Sequence, residues 1–423
     1  MQQNMAIPGL SSSSLEGLSV ADLENLARKS LRLHRNWTSL SPLPSNKLTI
    51  RPSSQHDRVF RTFEFLRVEN RSYLLTFTIR RAPEPLFSLQ CWDLNVSETP
   101  PTCVADRTVA SYGLFAINRQ RGSRGVVAIQ LLDIELLQIN FSAQDPASAF
   151  RTIAKIPETK HRLVALHGSL IVTQDEQENL HISDLSKPEA QLELHRRGKI
   201  SQKTLEVVIQ GELIIIVRLD GLEIFSISNL WSKEETTYPL VQHIWQWSLD
   251  SVSVAPQASW TPRKYAPINI LLRFGSLLPW PVNLIHQFIL HLNPSYDNTK
   301  PIASGNVPYE IVPTLRCQIG SPVRLFSNYH MAIGSRGTAV WIDNHTEDYF
   351  GHGECGQRLA GTLLATSDHQ DMHEDYYEAE SSMGSTVFEY CESDEWTRVA
   401  IDNNEGMIAV GHLDGTIVVR EYT

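Results

Sequence analysis

The sequence predicts an all-β fold, a WD-like β-propeller of about seven blades preceded by one short N-terminal α-helix. Three observations carry the prediction. From residue 47 onward, β-branched and aromatic runs such as RVFRTFEFL, SYLLTFTIR and LEVVIQGELIIIVRLDGLEIFSI are separated by Gly, Asp-Gly and Asn, the punctuation of short strands and tight turns. Segments recur: VRLDGLEIFSIS (217–228) is like GHLDGTIVVREY (411–422), and GSRGVVAIQLLD (122–133) is like GSRGTAVWID (334–343). Seven strand-end markers lie mostly some 40 to 60 residues apart: Trp92-Asp93, Asp133, Asp184, Asn229, Asn293, Trp341-Ile342-Asp343 and Glu421-Tyr422. A repeat of about four strands near that period is the signature of a propeller built from WD-type repeats.

The elements follow in order. Residues 1–17 are polar and Ser-rich, a composition that predicts disorder. A helix over 18–37 opens with a capping signature, Ser19 followed three residues later by Asp22. Leu23, Leu26, Ala27, Leu31 and His34 fall on one stripe at helical spacing and predict its buried face. SLSPLPS (39–45) ends it, and the propeller takes 46–423. The final marker leaves no room for a fourth strand in the last blade, so NKLTIR (46–51) is expected to complete it and cover two open sheet edges. Residues 344–383, rich in Asp and Glu, are expected to be an acidic loop insertion.

Composition limits function. Net charge is −10, from 47 acidic and 37 basic residues, which argues against nucleic-acid binding through a broad basic face. The five cysteines, Cys91, Cys103, Cys317, Cys355 and Cys391, are scattered and form no C-x-x-C. They predict reduced thiols in an intracellular, cytoplasmic or nuclear protein. The longest apolar run, INILLRFGSLLPWPVNLIHQFILHL (268–292), is interrupted by Arg273, two prolines and His286. It predicts two buried strands joined by a loop rather than a membrane span.

Few residues suggest chemistry. GHGECG (351–356) has the spacing of a dinucleotide loop but neither the preceding strand nor the following helix that such a loop needs. His352, Cys355, His369 and His373 approach zinc-ligand spacing with one thiolate short of the usual set. A solvated, His-rich loop is the plainer reading, and no metal or other cofactor is expected. Trp280, between two prolines in SLLPWPVNL (276–284), is a candidate partner anchor, although packing against its own blade is the commoner fate of such a residue. Arg28, Lys29, Arg32, His34 and Arg35 could suit an acidic surface. A helix docked by its leucines, with its cations in solvent, accounts for them better.

At LENLARKSLRLHRNW (23–37) the sequence resembles a family. A Leu-rich helix ending in such a run, a Pro-Ser linker and a degenerate WD-like propeller resemble fungal, basidiomycete-type F-box proteins, most sharply over Leu26–Trp37. The resemblance implies a propeller that recruits substrates for an SCF ubiquitin ligase through a Skp-type adaptor. The chain lacks a recognisable F-box ahead of the helix, so a shortened relative and a protein with further upstream sequence are both open. The resulting expectation is a non-enzymatic scaffold that binds a protein partner through propeller loops, with no nucleic acid and no membrane. The alternative is an enzyme or small-ligand binder with a site at the central channel. HRLVAL, TLEVVIQ and TRVAID, the expected innermost strands, are mostly apolar and favour packing over chemistry.

Overall fold

In the computed structural model the described residues are 19–51, 59–68, 71–80, 86–95, 101–109, 113–120, 122–157, 160–195, 203–231, 236–258, 263–275, 284–324, 328–345, 355–364 and 382–423. The β-branched runs form seven antiparallel sheets, and the chain is a seven-bladed β-propeller. Blade one holds Val59–Val68, Arg71–Arg80, Leu86–Asp93 and Thr102–Val109. Blade two holds Leu114–Ile117, Val127–Gln130, Ile134–Ile139 and Phe150–Ile156. Blade three holds Arg162–His167, Leu170–Gln174, Leu180–Asp184 and Lys187–Leu194, with Thr236–Thr237 added in parallel. Blade four holds Thr204–Gln210, Leu213–Arg218, Gly221–Ser226 and Val241–Ile244. These four blades make one compact unit.

The other unit carries the helix and three blades. Blade five holds Leu249–Pro256, Ile268–Phe274, Leu284–Leu290 and Thr314–Gly320, with Ser382–Met383 added in parallel. Blade six holds Met331–Ile333, Thr338–Asn344, Gln357–Leu363 and Thr386–Cys391. Blade seven holds Trp396–Asp402, Met407–His412 and Ile417–Glu421, and its fourth strand is Asn46–Ile50, antiparallel to Ile417–Glu421.

Within each unit, neighbouring blades pack face to face. Phe77, Phe87 and Leu89 of blade one meet Val127, Ile129 and Leu137 of blade two. Val172 and Ile182 of blade three meet Ile214 and Ile216 of blade four. In the second unit Leu271 and Ile285 meet Ala339 and Trp341. A strand covered on both faces needs no polar alternation, and Leu213–Arg218 and Ile268–Phe274 bury every side chain. That is why 268–292 reads as apolar as a membrane segment yet forms two paired strands. Among the described residues no helix is long and apolar enough to cross a membrane.

Two of the seven markers are out of phase with the rest. Asp93 and Asp184 end third strands, whereas Asp343 lies in the second strand of blade six and Asp133 follows the second strand of blade two. A blade offers two successive hairpin positions, between its first and second strands and between its second and third. The GSRG segments mark the first hairpin and the LDG segments the second, so both repeats are real but one strand apart.

The stretch 344–383, expected as one loop, contains Gln357–Leu363, the third strand of blade six. Its apolar signal is diluted by Gln357, Arg358 and Gly361. Gln357 is nevertheless buried: its side chain accepts from the Trp396 N–H at 2.8 Å and donates to the Trp396 carbonyl at 3.0 Å. Gly356, the last residue of GHGECG, leads into this strand rather than a helix.

Candidate functional site

The helix spans Val20–Thr38 and begins with a complete capping box. The Ser19 hydroxyl accepts from the Asp22 N–H at 3.2 Å, and the Asp22 carboxylate accepts from the Ser19 N–H at 3.1 Å. Its buried residues are Ser30, Leu33 and Trp37, so the docked face is rotated from the expected stripe of Leu23, Leu26, Ala27, Leu31 and His34, in which Leu26 and His34 are half-buried and the other three exposed. Leu23 is 39% exposed and Leu31 61%. The leucines alone permit either face. Trp37, read as the helix end, is the largest apolar group available and decides the rotation.

Leu33 and Trp37 enter the core between blades six and seven with Phe388, Trp396, Val410 and Tyr422. Trp37 meets Phe388 edge-on at 4.9 Å between centroids. Asn36 donates to the Tyr422 carbonyl at 2.8 Å and accepts from the Leu43 N–H at 3.2 Å, fixing the linker that leads to Asn46. The Leu33 side chain fills the space over Gly406, where a Cβ would lie 2.4 Å from Leu33 Cδ1 on a backbone at φ +67°. That position combines a close approach with a conformation that favours glycine.

Polar side chains stand in or beside the first strands of several blades. The first strands of blades three, four, five and seven each carry a register shift near their start, at Leu163/Ala165, Thr204/Glu206, Leu249/Ser251 and Trp396/Arg398. A bulge re-aims the side chains around it. Beside one, Glu206 receives a hydrogen bond from Arg119, whose guanidinium also donates to the Val207 carbonyl at 3.1 Å. Inside another, Asp250 accepts the Tyr329 hydroxyl. Arg273 lies 5.4 Å from the Tyr329 ring centroid and donates to the Ser321 carbonyl at 3.1 Å. Burial, reinforced by Asp250, pushes the Tyr329 phenol well above its ordinary range. Bulges leave little trace in a sequence, so Arg119, Glu206, Asp250 and Tyr329 went unnoticed there. These polar groups satisfy one another, an arrangement that holds strands in place.

His330 makes this part of the second unit acid-sensitive. Its Nδ1 accepts from the Val399 N–H at 3.4 Å, and its Nε2 lies 3.5 Å from Arg398. Burial, then the Arg398 charge, push its pKa down to about 4. In an unfolded chain it titrates near about 6.5. Between these values the unfolded state binds the extra proton, so the His330 contribution is complete above about pH 6.5 and is lost as pH falls toward about 4. Exchanging His330 for Gln is expected to flatten that acid limb, measured as urea midpoints across the window. An unchanged slope would contradict the assignment.

Of the residues singled out in the sequence, Trp280, His352, His369 and His373 lie outside the described residues. Cys355 is exposed and its thiol donates to the Glu392 carbonyl at 3.0 Å. Among the described residues, one group of histidine and carboxylate side chains comes within reach of a shared metal ion: Asp175, His181 and Glu193 of blade three.

The fold is thus a WD-like, seven-bladed propeller. No family model and no curated protein matches the sequence. Among solved structures the chain is similar to the β-propeller domain of Myceliophteria thermophila Cps50 (Swd1), with TM-score 0.51 and 11% identity over 90% of this chain and 100% of that one. It also aligns with Kluyvelomyces marxianus Hsv2, at TM-score 0.42 and 8% identity over 80% and 86% of the two chains. At such identity the first match bears on the fold alone, and the second carries no argument.

Proposed function

We propose that the chain is a non-enzymatic protein-interaction scaffold. The observation that carries this reading is the helix. Its inner side is anchored by Leu33 and Trp37, while Val20, Leu31, Leu40 and Leu43 in and just after it are 61–92% exposed. Apolar side chains held outward on a fixed support are what a docking partner covers. The mutual pairing of Arg119 with Glu206 and of Tyr329 with Asp250 supports a binding role over catalysis. All five cysteines are free thiols, which suits a reducing intracellular setting, cytoplasmic or nuclear. Under this reading the resemblance at Leu26–Trp37 points to substrate recruitment for an SCF-type ligase, and a Skp-type adaptor is a partner only if F-box sequence precedes the helix.

The test is cross-linking mass spectrometry on the chain in its own cells, repeated with Leu31→Asp and Val20→Asp together. A stoichiometric partner cross-linked to Lys29 and released by the double variant, with the circular dichroism unchanged, is the expected outcome. A partner that ignores the helix variants would sink the helix-surface reading. Gel filtration with a Skp-type adaptor, using a product extended upstream, decides the ligase connection separately.

A further inference from the structure

Blade three gathers five potential metal ligands on one face. Register pairs Leu163 with Thr173, Thr173 with His181, and His181 with Glu193. Side chains two apart on a strand share a face, which adds His161, Asp175 and His195. The start of the first strand, the turn between the second and third, and the end of the fourth all meet at one end of the sheet. Leu163 and Ile171 on this face pack against blade two, while the ligand group occupies its polar margin.

Three of these side chains converge. Asp175, His181 and Glu193 each present a ligand atom, all within 4.8 Å of one another. His181 Nε2 and Asp175 Oδ2 are 3.2 Å apart. Ligand atoms around a tetrahedral zinc, with bonds of about 2.1 Å, sit roughly 3.4 Å apart. The His161 ring stacks on that of His181 at 4.3 Å between centroids, and His195 Nε2 lies 3.5 Å from Glu193 Oε1. Asn179 donates both its backbone N–H, at 2.7 Å, and its side-chain amide, at 3.1 Å, to Asp175, the kind of orienting contact that surrounds metal ligands.

We propose that Asp175, His181 and Glu193 bind one divalent transition-metal ion of the zinc type. Imidazole with two carboxylates is a borderline donor set that suits zinc better than calcium or magnesium. Bound there, the ion ties the turn at 175–179 to the outermost main strand of the blade. This site is independent of the scaffold reading and uses none of its residues.

The experiment is calorimetric titration of tag-free, chelator-treated full chain with Zn²⁺, with Co²⁺ absorption as a second probe of coordination. One equivalent is expected to bind, and the visible band of low-coordinate Co²⁺ to appear. His181→Ala should weaken binding by more than about a hundredfold, and Asn179→Ala by about tenfold, since orienting partners are worth about 10–100-fold. His291→Ala, a histidine on another blade, should leave binding unchanged and so controls for general surface effects. Zinc should raise the melting temperature of the parent chain and not of the His181 variant. Absence of stoichiometric binding overturns the proposal. So does binding that survives His181→Ala with Glu193→Gln, or that is lost only when His369 and His373 are replaced.

Discussion

Glu223→Ala is expected to lower the unfolding free energy by roughly 3–5 kcal/mol, the cost of stranding one member of a buried ion pair. Arg218 and Glu223 are both fully buried, with Nε and Oε2 2.5 Å apart. They belong to the second and third strands of blade four, within a core of Ile214, Ile216 and Phe225. The pair is further satisfied: Arg218 donates to the Thr204 hydroxyl at 3.1 Å, and Gln242 donates to Glu223 at 2.8 Å. Deleting the carboxylate leaves the guanidinium charge inside an apolar layer. The pair need not be a net stabiliser, because removing both charges avoids both desolvation costs. Arg218→Met combined with Glu223→Leu should therefore recover most of the loss. Urea unfolding of the two single variants and the double variant measures this directly. A small effect in Glu223→Ala, or strictly additive singles, would show that water or another anion compensates Arg218.

Trp37→Ala should cost about 3–5 kcal/mol locally, the usual range for removing a large buried aromatic. Trp37 is 2% exposed, and its edge-on contact with Phe388 continues into the contact of Phe388 with Tyr422. Helices in proteins draw most of their stability from tertiary packing, so loss of its anchor should free this one. Hydrogen exchange over 20–38 is expected to rise toward that of an isolated peptide, while blades one to four keep their protection. Protease sensitivity at Arg28 and Lys29 should rise with it. A helix equally protected in the variant would mean that Leu33 and the Asn36 hydrogen bonds suffice for docking.

The sequence announced the helix and the number of blades because both are written in local patterns. The Ser19 and Asp22 pair is a four-residue signal, and hairpin turns recur at a countable interval. Errors arose where a choice depends on distant residues. Which face of the helix docks is decided by the aromatic trio of Trp37, Phe388 and Tyr422, whose members lie more than 300 residues apart at the extremes. The strand Gln357–Leu363 is concealed because Gln357 satisfies its polar side chain on Trp396, a residue of the next blade. The metal candidate is invisible along the chain: His161, Asp175, His181, Glu193 and His195 have no ligand-like spacing, and only strand register assembles them. By contrast, the spacing that does look like a zinc motif has three of its four residues, His352, His369 and His373, outside the described residues. The F-box connection is a proposal that rests on a short run within the helix, Leu26–Trp37.

The pairing of Asn46–Ile50 with Ile417–Glu421 has a consequence for biosynthesis. A ribosome makes residues 46–50 early, but their hydrogen-bonding partner emerges only after roughly 370 more residues, or about 20–75 s at about 5–20 residues per second. Throughout that interval the strand is an orphan with β-forming side chains and unmet backbone groups. Leu33 and Trp37 wait with it, because their pocket includes Ile408, Val410 and Tyr422. The nascent chain must therefore carry these unpaired groups until the last blade has been made. Holding them in a soluble state is a job for a ribosome-bound chaperone.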